Sequence, residues 1–334
     1  MSNEVRPNEV RLVAVTPEDD GQRLDRWLKK HAPNLPYSLV QKLIRKGAIR
    51  VDDKRVQMDA RLEAGQEVRL PPVVEDGKID RHFRAKPDDD KFIKSLVIYD
   101  DGDMIAINKP SGLATQGGMN IERHVDGLLE HLGDGDSKPK LCHRLDRDTS
   151  GILILARTRE MAAKIGKAFE SKNIRKYYWA IVVPAPEMND GTIDAPLIKG
   201  EGYHKDMMVV DTENGKFSRT EFHVVERAAK KAAFITFWPR TGRTHQLRVH
   251  AEAAGFPIIG DEKYGNIEQS RAMIDALDLS PRLHLHAARI MFPHPVTKQM
   301  LDINAPLPPD LRKSWARFGF TPEVEGDPFK AVKV

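Results

Sequence analysis

Cysteine is nearly missing from this chain, with Cys142 the single one in 334 residues. A lone thiol excludes an intramolecular disulfide and any zinc site built on paired cysteines, and it suits a reducing compartment. Cys142 itself reads as a small packing residue rather than a nucleophile, the usual fate of a free thiol. Also missing is any apolar run near the ~18–20 residues that a membrane-spanning helix requires, so insertion into a bilayer is not expected. The opening MSNEVRPNEVRLVAV has acidic residues and lacks the apolar stretch and cleavage site of a secretory leader, so a cytoplasmic location is expected. Internal repeats and low-complexity segments are absent as well.

Hydrophobic residues make up 40% and charged residues 31%, the composition of a soluble globular protein. The length exceeds the ~250–300 residues at which single cores stop growing, which predicts a small domain and a larger one. A net charge of +4 permits nucleic-acid binding without requiring it, so the distribution matters more than the total. Residues 22–72 hold twelve Lys and Arg against six Asp and Glu, an excess larger than that of the whole chain. The remainder is slightly acidic.

Within this basic segment, Leu24, Trp27 and Leu28, then Leu39, Val40, Leu43 and Ile44, predict two short helices, the second ending at Gly47. Ala48–Val51, the turn Asp52-Asp53-Lys54 and Glu67–Leu70 predict a small hairpin-like unit closing at Pro71-Pro72. Arg26, Lys29, Lys30, Lys42, Arg45, Lys46, Arg50, Lys54 and Arg55 crowd this unit. On charge alone, a solvated helical surface and an RNA-binding face are equal readings.

Residues 76–95 are polar and charged and are expected to form a linker, with Asp88–Asp90 a solvated acidic run. From residue 96, LVIYDDGDMIAINKP predicts a hairpin. Strand-like runs follow at Ile152–Ala156, Tyr177–Val183, Phe222–Val225, Phe234–Trp238 and Leu285–Phe292, with helical character at Thr158–Phe169 and Thr244–Ala254. Strands outnumber helices without regular βαβ alternation, so the class is α+β. Residues 1–10 and a tail at 321–334 carry no interpretable pattern.

Reactive side chains concentrate in Cys142-His143-Arg144-Leu145-Asp146-Arg147-Asp148-Thr149-Ser150-Gly151, followed directly by the strand pattern. Two carboxylates and two arginines within five residues support acid/base work, a covalent carboxylate intermediate or a plain salt-bridge network, and composition does not choose among them. His143 with His245, His250, His284 and His286 raises a metal site, although His245 and His250 lie five apart and off a common helical face. Ser150 with His143 raises a serine hydrolase, but no G-x-S-x-G elbow surrounds it.

HRLDRDTSG at 143–151 resembles the motif that carries the catalytic aspartate of RluA-type pseudouridine synthases. Further segments match in order: INKPSGLATQGG at 107–118, KYYWAIV at 176–182, RTGRTHQLRVH at 240–250, GDEKYG at 260–265 and LHLHAARI at 283–290. The basic first segment closely resembles an S4-type RNA-binding domain, and the opening together with VRLPP is most similar to the RluC branch, which acts on large-subunit ribosomal RNA.

This resemblance implies a small S4-like α/β RNA-binding domain at 1–75, the linker, a mixed β-sheet catalytic domain at 96–320 and the tail. It implies cofactor-free, metal-free isomerisation of uridine to pseudouridine by a monomer. Asp146 is then the essential carboxylate, Tyr178 lies against the flipped base, and Arg248 pairs with Asp146. Tyr177 is the residue that a one-place register error would select instead. Arg144 enters the space left by the extruded nucleotide. Arg243 meets phosphate, and Lys109 in the NKPSG turn shapes the cleft and touches RNA. Arg26, Lys42, Arg45, Lys46 and Arg50 form the RNA-docking face. The rival readings are a non-catalytic ribosome-assembly RNA-binding protein and a metal-dependent RNA hydrolase.

Overall fold

The computed structural model describes residues 10–33, 35, 37–71, 86–117, 121–133, 137–170 and 174–332. The chain divides into two compact units, Met1–His82 and Phe83–Val334. The first half of the expected linker, 76–85, lies outside the described residues.

In the first unit, β1 (Arg11–Ala14) precedes the paired helices α1 (Leu24–His31) and α2 (Tyr37–Arg45), followed by β2 (Arg50–Val51) and β3 (Glu67–Leu70). The strands form an antiparallel sheet in the order β1-β3-β2. Leu24, Trp27, Leu28, Val40, Ile49, Val68 and Leu70 bury into one core, each large side chain contributing roughly 1.5–3 kcal/mol. Gly47, at φ +68°, turns the chain out of α2 in the left-handed conformation that glycine tolerates. Asp19 is buried and accepts from Lys30 Nζ at 2.8 Å and His31 Nε2 at 2.9 Å. The Lys30 bond is the main reason its carboxyl is held down to about 2. Lys30 is thereby engaged in folding rather than in an open basic face.

The second unit opens with α3 (Asp89–Ser95), where the sequence suggested linker. Asp89 is fully buried, accepting from Lys86 N at 2.7 Å and ion-paired to Arg123, and Ile93 is buried beside it. A seven-residue helix, about two turns, with a buried carboxylate is too short and too acidic to show a clear 3.6-residue pattern; the expected solvated run holds at exposed Asp88 and fails at Asp89. The chain continues through β4 (Val97–Asp100), β5 (Met104–Lys109), α4 (Val125–Leu128), β6 (Lys140–Leu141), β7 (Ser150–Ala156) and α5 (Arg159–Glu170). After β8 (Arg175–Val182) come β9 (Asp190–Asp194), the pair β10 (Leu197–Lys199) and β11 (Met208–Val210), and the long hairpin β12 (Arg219–Ala228) and β13 (Ala232–Pro239). Helices α6 (Gln246–Ala253) and α7 (Ile267–Leu277), strands β14 (Leu285–Pro293) and β15 (Met300–Asn304), and α8 (Pro309–Arg317) complete it.

Ten strands make one mixed sheet with the path β4-β5-β7-β14-β8-β13-β12-β9, β15 joining β14 and β6 joining β7. This is the expected α+β class, and all five predicted strand runs lie in it. Along β8 the two-residue period sends Ala180 and Val182 to the face covered by α6, and Ile181 and Val183 to the face covered by α7 and α8. The sheet is therefore packed on both sides. β7 and β14 run parallel at the centre. Their approach requires Gly151, at φ +114°, because a Cβ there would lie 2.2 Å from the Ala287 carbonyl oxygen.

Residues of the tail, to which the sequence gives no pattern, pack against this sheet. Asp327 accepts from Tyr177 Oη at 2.6 Å and pairs with Arg175, and Phe329 is buried against Tyr177 and Trp238. Its anchors are single residues with no periodicity to betray them. Among the described residues no helix is long and apolar enough to cross a membrane.

Candidate active site

The segment 142–149 forms the loop that enters β7, and residues 109–115 hold its backbone in place. Lys109 is fully buried at the end of β5, and its Nζ donates to the carbonyls of Pro110 at 2.9 Å, Leu113 at 2.9 Å and Arg147 at 3.1 Å. Thr115 Oγ1 donates to Leu145 O at 2.7 Å and accepts from Leu145 N at 3.2 Å, while Ser111 Oγ donates to Asp148 O at 2.7 Å. Gly112 N donates to Arg147 O at 2.9 Å. Consecutive residues around Asp146 are thus held from one side, which leaves its side chain little positional freedom. Burial pulls the Lys109 ammonium down to about 7, against the opposing charges of Asp148 and Asp146. A fully buried lysine has no surface to offer RNA, so the expected RNA contact at Lys109 is corrected to a clamp on the loop that carries Asp146.

Asp146 is half-buried and its carboxylate has no side-chain partner among the described residues. It lines a cavity of about 310 Å³ with Arg144, Lys176, Tyr178, Arg243 and Arg248, a size typical of small-molecule pockets. The cavity brings together residues from the loop, from β8 and from the start of α6. Tyr178 projects into it while Tyr177, one place earlier, points to the opposite face and the tail. Burial first, and then the Asp146 charge, push the Tyr178 phenol above its ordinary value, so it stays protonated at neutral pH. Arg144 is exposed at the rim and forms no ion pair with Asp148. Arg243 is exposed too, its Nε donating to Phe217 O at 3.3 Å.

Arg248 corrects a second expectation. Its Nε and Nη2 donate to the two carboxylate oxygens of Asp261, both at 2.6 Å, and both side chains are buried. The direct partner is therefore Asp261 rather than Asp146. Burial alone would lower the guanidinium pKa; Asp261, and behind it Asp146, outweigh that and raise it. Asp261 is itself oriented by Lys263 N at 2.8 Å and Tyr264 N at 3.1 Å. The GDEKYG segment carried this signal, but the partner lies thirteen residues away and across a turn.

Lys176 was missed altogether. It lines the same cavity, its Nζ lies 5.4 Å from the Phe169 ring centroid, and burial lowers its pKa. The signal was its place two residues before Tyr178, which on a strand means the same face.

The histidines raised as possible ligands are engaged separately. His143 Nε2 accepts from Ile154 N at 2.9 Å, and its ring stacks on Phe169. His250 bonds to Thr220 Oγ1 at 2.9 Å and Ala195 O at 3.0 Å. His286 bonds to Ser150 Oγ at 2.9 Å and Ala305 O at 3.2 Å, so Ser150 is buried with His286 and not paired with His143. Among the described residues, no three His, Cys, Asp or Glu side chains converge as a metal site. Burial pushes the Cys142 thiol up to about 12, which leaves it unreactive.

In the first unit Arg26, Lys42, Arg45 and Lys46 are exposed, whereas Arg50 is half-buried and donates to Gly47 O at 2.9 Å and Asp53 O at 3.2 Å. Arg50 is thus a brace for the turn more than an open contact.

A family profile described as RNA pseudouridylate synthase matches residues 103–253, a span that holds the clamp, the loop, Tyr178 and Arg248. The chain belongs to this family. It is 37% identical over 313 residues to the ribosomal large subunit pseudouridine synthase C of Vibrio vulnificus, covering 93% of this chain and 97% of that one. The Escherichia coli protein of the same name is 36% identical over 308 residues, covering 91% and 95%. Among solved structures, human RNA pseudouridylate synthase domain containing 4 superposes with a TM-score of 0.58 at 27% identity, covering 69% of this chain and 96% of that one. Human RNA pseudouridylate synthase domain containing 1 gives 0.52 at 26% identity, covering 64% and 83%.

Proposed function

We propose that this protein converts specific uridines of large-subunit ribosomal RNA to pseudouridine in the cytoplasm, acting as a monomer and without a cofactor. The observation that carries the reading is the unpaired carboxylate of Asp146, held by a clamped loop in a cavity shared with a protonated tyrosine and a buried arginine. The near full-length similarity to the large-subunit enzymes supports the substrate class.

The reaction breaks the bond between C1′ and uracil N1, forms one between C1′ and C5, moves the C5 proton away and leaves N1 protonated, so atoms and electrons balance without an oxidant. A stacked uridine is out of reach and must be extruded, at a cost of a few kcal/mol. Arg144, exposed at the rim, fills the vacated space, and Arg243 contacts phosphate. Asp146 supplies the carboxylate next to the sugar, where charge develops as the glycosidic bond opens. Arg248, held in place by Asp261, lines the same cavity. Tyr178 packs on the base with its hydroxyl available for proton transfer. The first unit, read as an S4-like domain at 1–75, docks RNA through Arg26, Lys42, Arg45 and Lys46.

Asp146→Asn removes one charge and little volume. Pseudouridine formation on rRNA transcripts should be abolished while RNA binding persists; residual turnover within about tenfold of the intact enzyme, or ~1.4 kcal/mol, would overturn the assignment.

A further inference from the structure

A groove in the first unit is not used by the chemistry above. Its volume is about 630 Å³, and it runs between α2 and the extended segment 55–59. Tyr37, Gln41, Ile44 and Arg45 recur at three- and four-residue spacing and so form one face of α2 along one wall. Ile44, Val56 and Met58 are half-buried and pack on the core beneath, which makes an apolar floor. Tyr37 stands out of this floor 58% exposed, among the most exposed large apolar side chains of the described residues.

The cations around it are built in. Arg55 crosses the end of α2 because residue 47 is glycine: a Cβ there would come within 2.8 Å of Arg55 Nε. The carbonyl end of α2 favours a cation at that place. Arg45 and Arg55 form no ion pair among the described residues, and Asp59 is the one acidic residue lining the groove. An exposed aromatic ring at the start of α2, an apolar floor and two unpaired guanidinium groups at the end of α2 suit one ligand chemistry: a flat base continued in one direction by an anionic backbone. A base inside an A-form duplex has both faces covered by its neighbours, so the ligand must be unpaired.

We propose that this groove binds one unpaired RNA nucleotide, its base stacked on Tyr37 and the phosphates of the adjoining backbone held by Arg45 and Arg55. The proposal rests on the RNA-docking reading of the first unit and gives it a specificity: it recognises a bulge, loop or single-stranded end beside the target, not a regular helix.

The test uses the full-length protein, a short fluorescein-labelled single-stranded RNA of mixed sequence, and the blunt duplex formed by that strand. Tyr37→Ala should weaken single-strand binding on the order of tenfold, the typical loss for one base–aromatic stack. It should leave duplex binding and the salt dependence unchanged, since no charge is removed. Tyr37→Phe should bind like the intact protein. Arg45→Gln with Arg55→Gln should lower the slope of log K against log salt by about 0.7 for each phosphate no longer neutralised. A 4-thiouridine in the strand should photocrosslink to the peptide containing Tyr37. Unchanged single-strand affinity in Tyr37→Ala, or equal weakening for strand and duplex, overturns the proposal. Charge reversal at Lys42 and Lys46 separates the two levels. If it too leaves affinity and salt slope intact, the RNA-docking reading of the unit fails; if it weakens binding while Tyr37→Ala does not, the nucleotide subsite alone is wrong.

Discussion

Tyr177 and Tyr178 are neighbours on β8, and the two-residue period separates them completely: one hydroxyl donates to Asp327, the other faces Asp146 across the cavity. Their substitution by phenylalanine should therefore separate stability from chemistry. Tyr178→Phe keeps the ring in the cavity and loses the hydroxyl; on the proposed mechanism the single-turnover rate should fall by about 10²-fold or more, the usual weight of general acid–base catalysis, with RNA affinity retained. Tyr177→Phe should leave the rate alone and lower the urea midpoint by the equivalent of about 1 kcal/mol, one hydrogen bond. Arg248 and Asp261 allow a sharper separation. Arg248→Ala leaves a buried carboxylate unpaired and should cost roughly 3–5 kcal/mol. Adding Asp261→Ala should return much of that stability, because no buried charge is left, yet turnover should stay low in the double variant. Recovery of turnover together with stability would make the pair purely structural.

At the scale of elements, the site is one loop clamped by another. Lys109→Met keeps the buried volume but removes the donor to three carbonyls, at a cost in the range of about 1–3 kcal/mol for each group left unsatisfied. The expected result is a lower melting temperature together with a single-turnover rate down by tenfold or more and little change in RNA affinity, since Lys109 is out of RNA's reach. A stable variant with full activity would show that the loop needs no clamp. The parallel pairing of β7 and β14 places that loop beside the cavity, and Gly151 is what permits it. Gly151→Ala sets a methyl against backbone, which has no flexible end to move away, so the folded catalytic unit should not accumulate.

At the scale of the molecule, pH tests the packing of the large sheet. His284 and His286 are fully buried, and burial lowers both imidazoles to about 4 from an ordinary value of 6.5. In the unfolded chain they take up protons near ~6.5; in the folded chain they resist until about pH 4. Their contribution is therefore complete above the unfolded value and is lost as pH falls from about 6.5 towards 4, with a slope of up to ~1.4 kcal/mol per pH unit for each histidine. Urea titrations across this window should show the loss, and His286→Gln should flatten it. The tail belongs to the same scale. Phe329→Ala removes the ring that packs on Tyr177 and Trp238 and should cost about 3–5 kcal/mol, read as a shift in tryptophan-detected unfolding.

Local chemistry made much of this protein legible. The helix pair at Leu24–Ile44 and the strand runs from Ile152 to Phe292 follow from which neighbouring positions are apolar, and such periodicities are set within a few residues. The basic surplus of residues 22–72 is equally local, whereas Asp146 was singled out only by the resemblance of HRLDRDTSG to a family motif. What only the tertiary structure decided are pairings between residues that no local rule connects. Arg248 was expected to pair with Asp146, and the turn at Asp261 supplies its partner instead. Lys109 was expected to shape the cleft and touch RNA, but the fold buries it under the carbonyl of Arg147. Asp89 and the Asp327–Phe329 tail were invisible for the same reason. A single charged or aromatic residue has no period of its own, and its role is set by whatever the sheet and its crossovers bring against it.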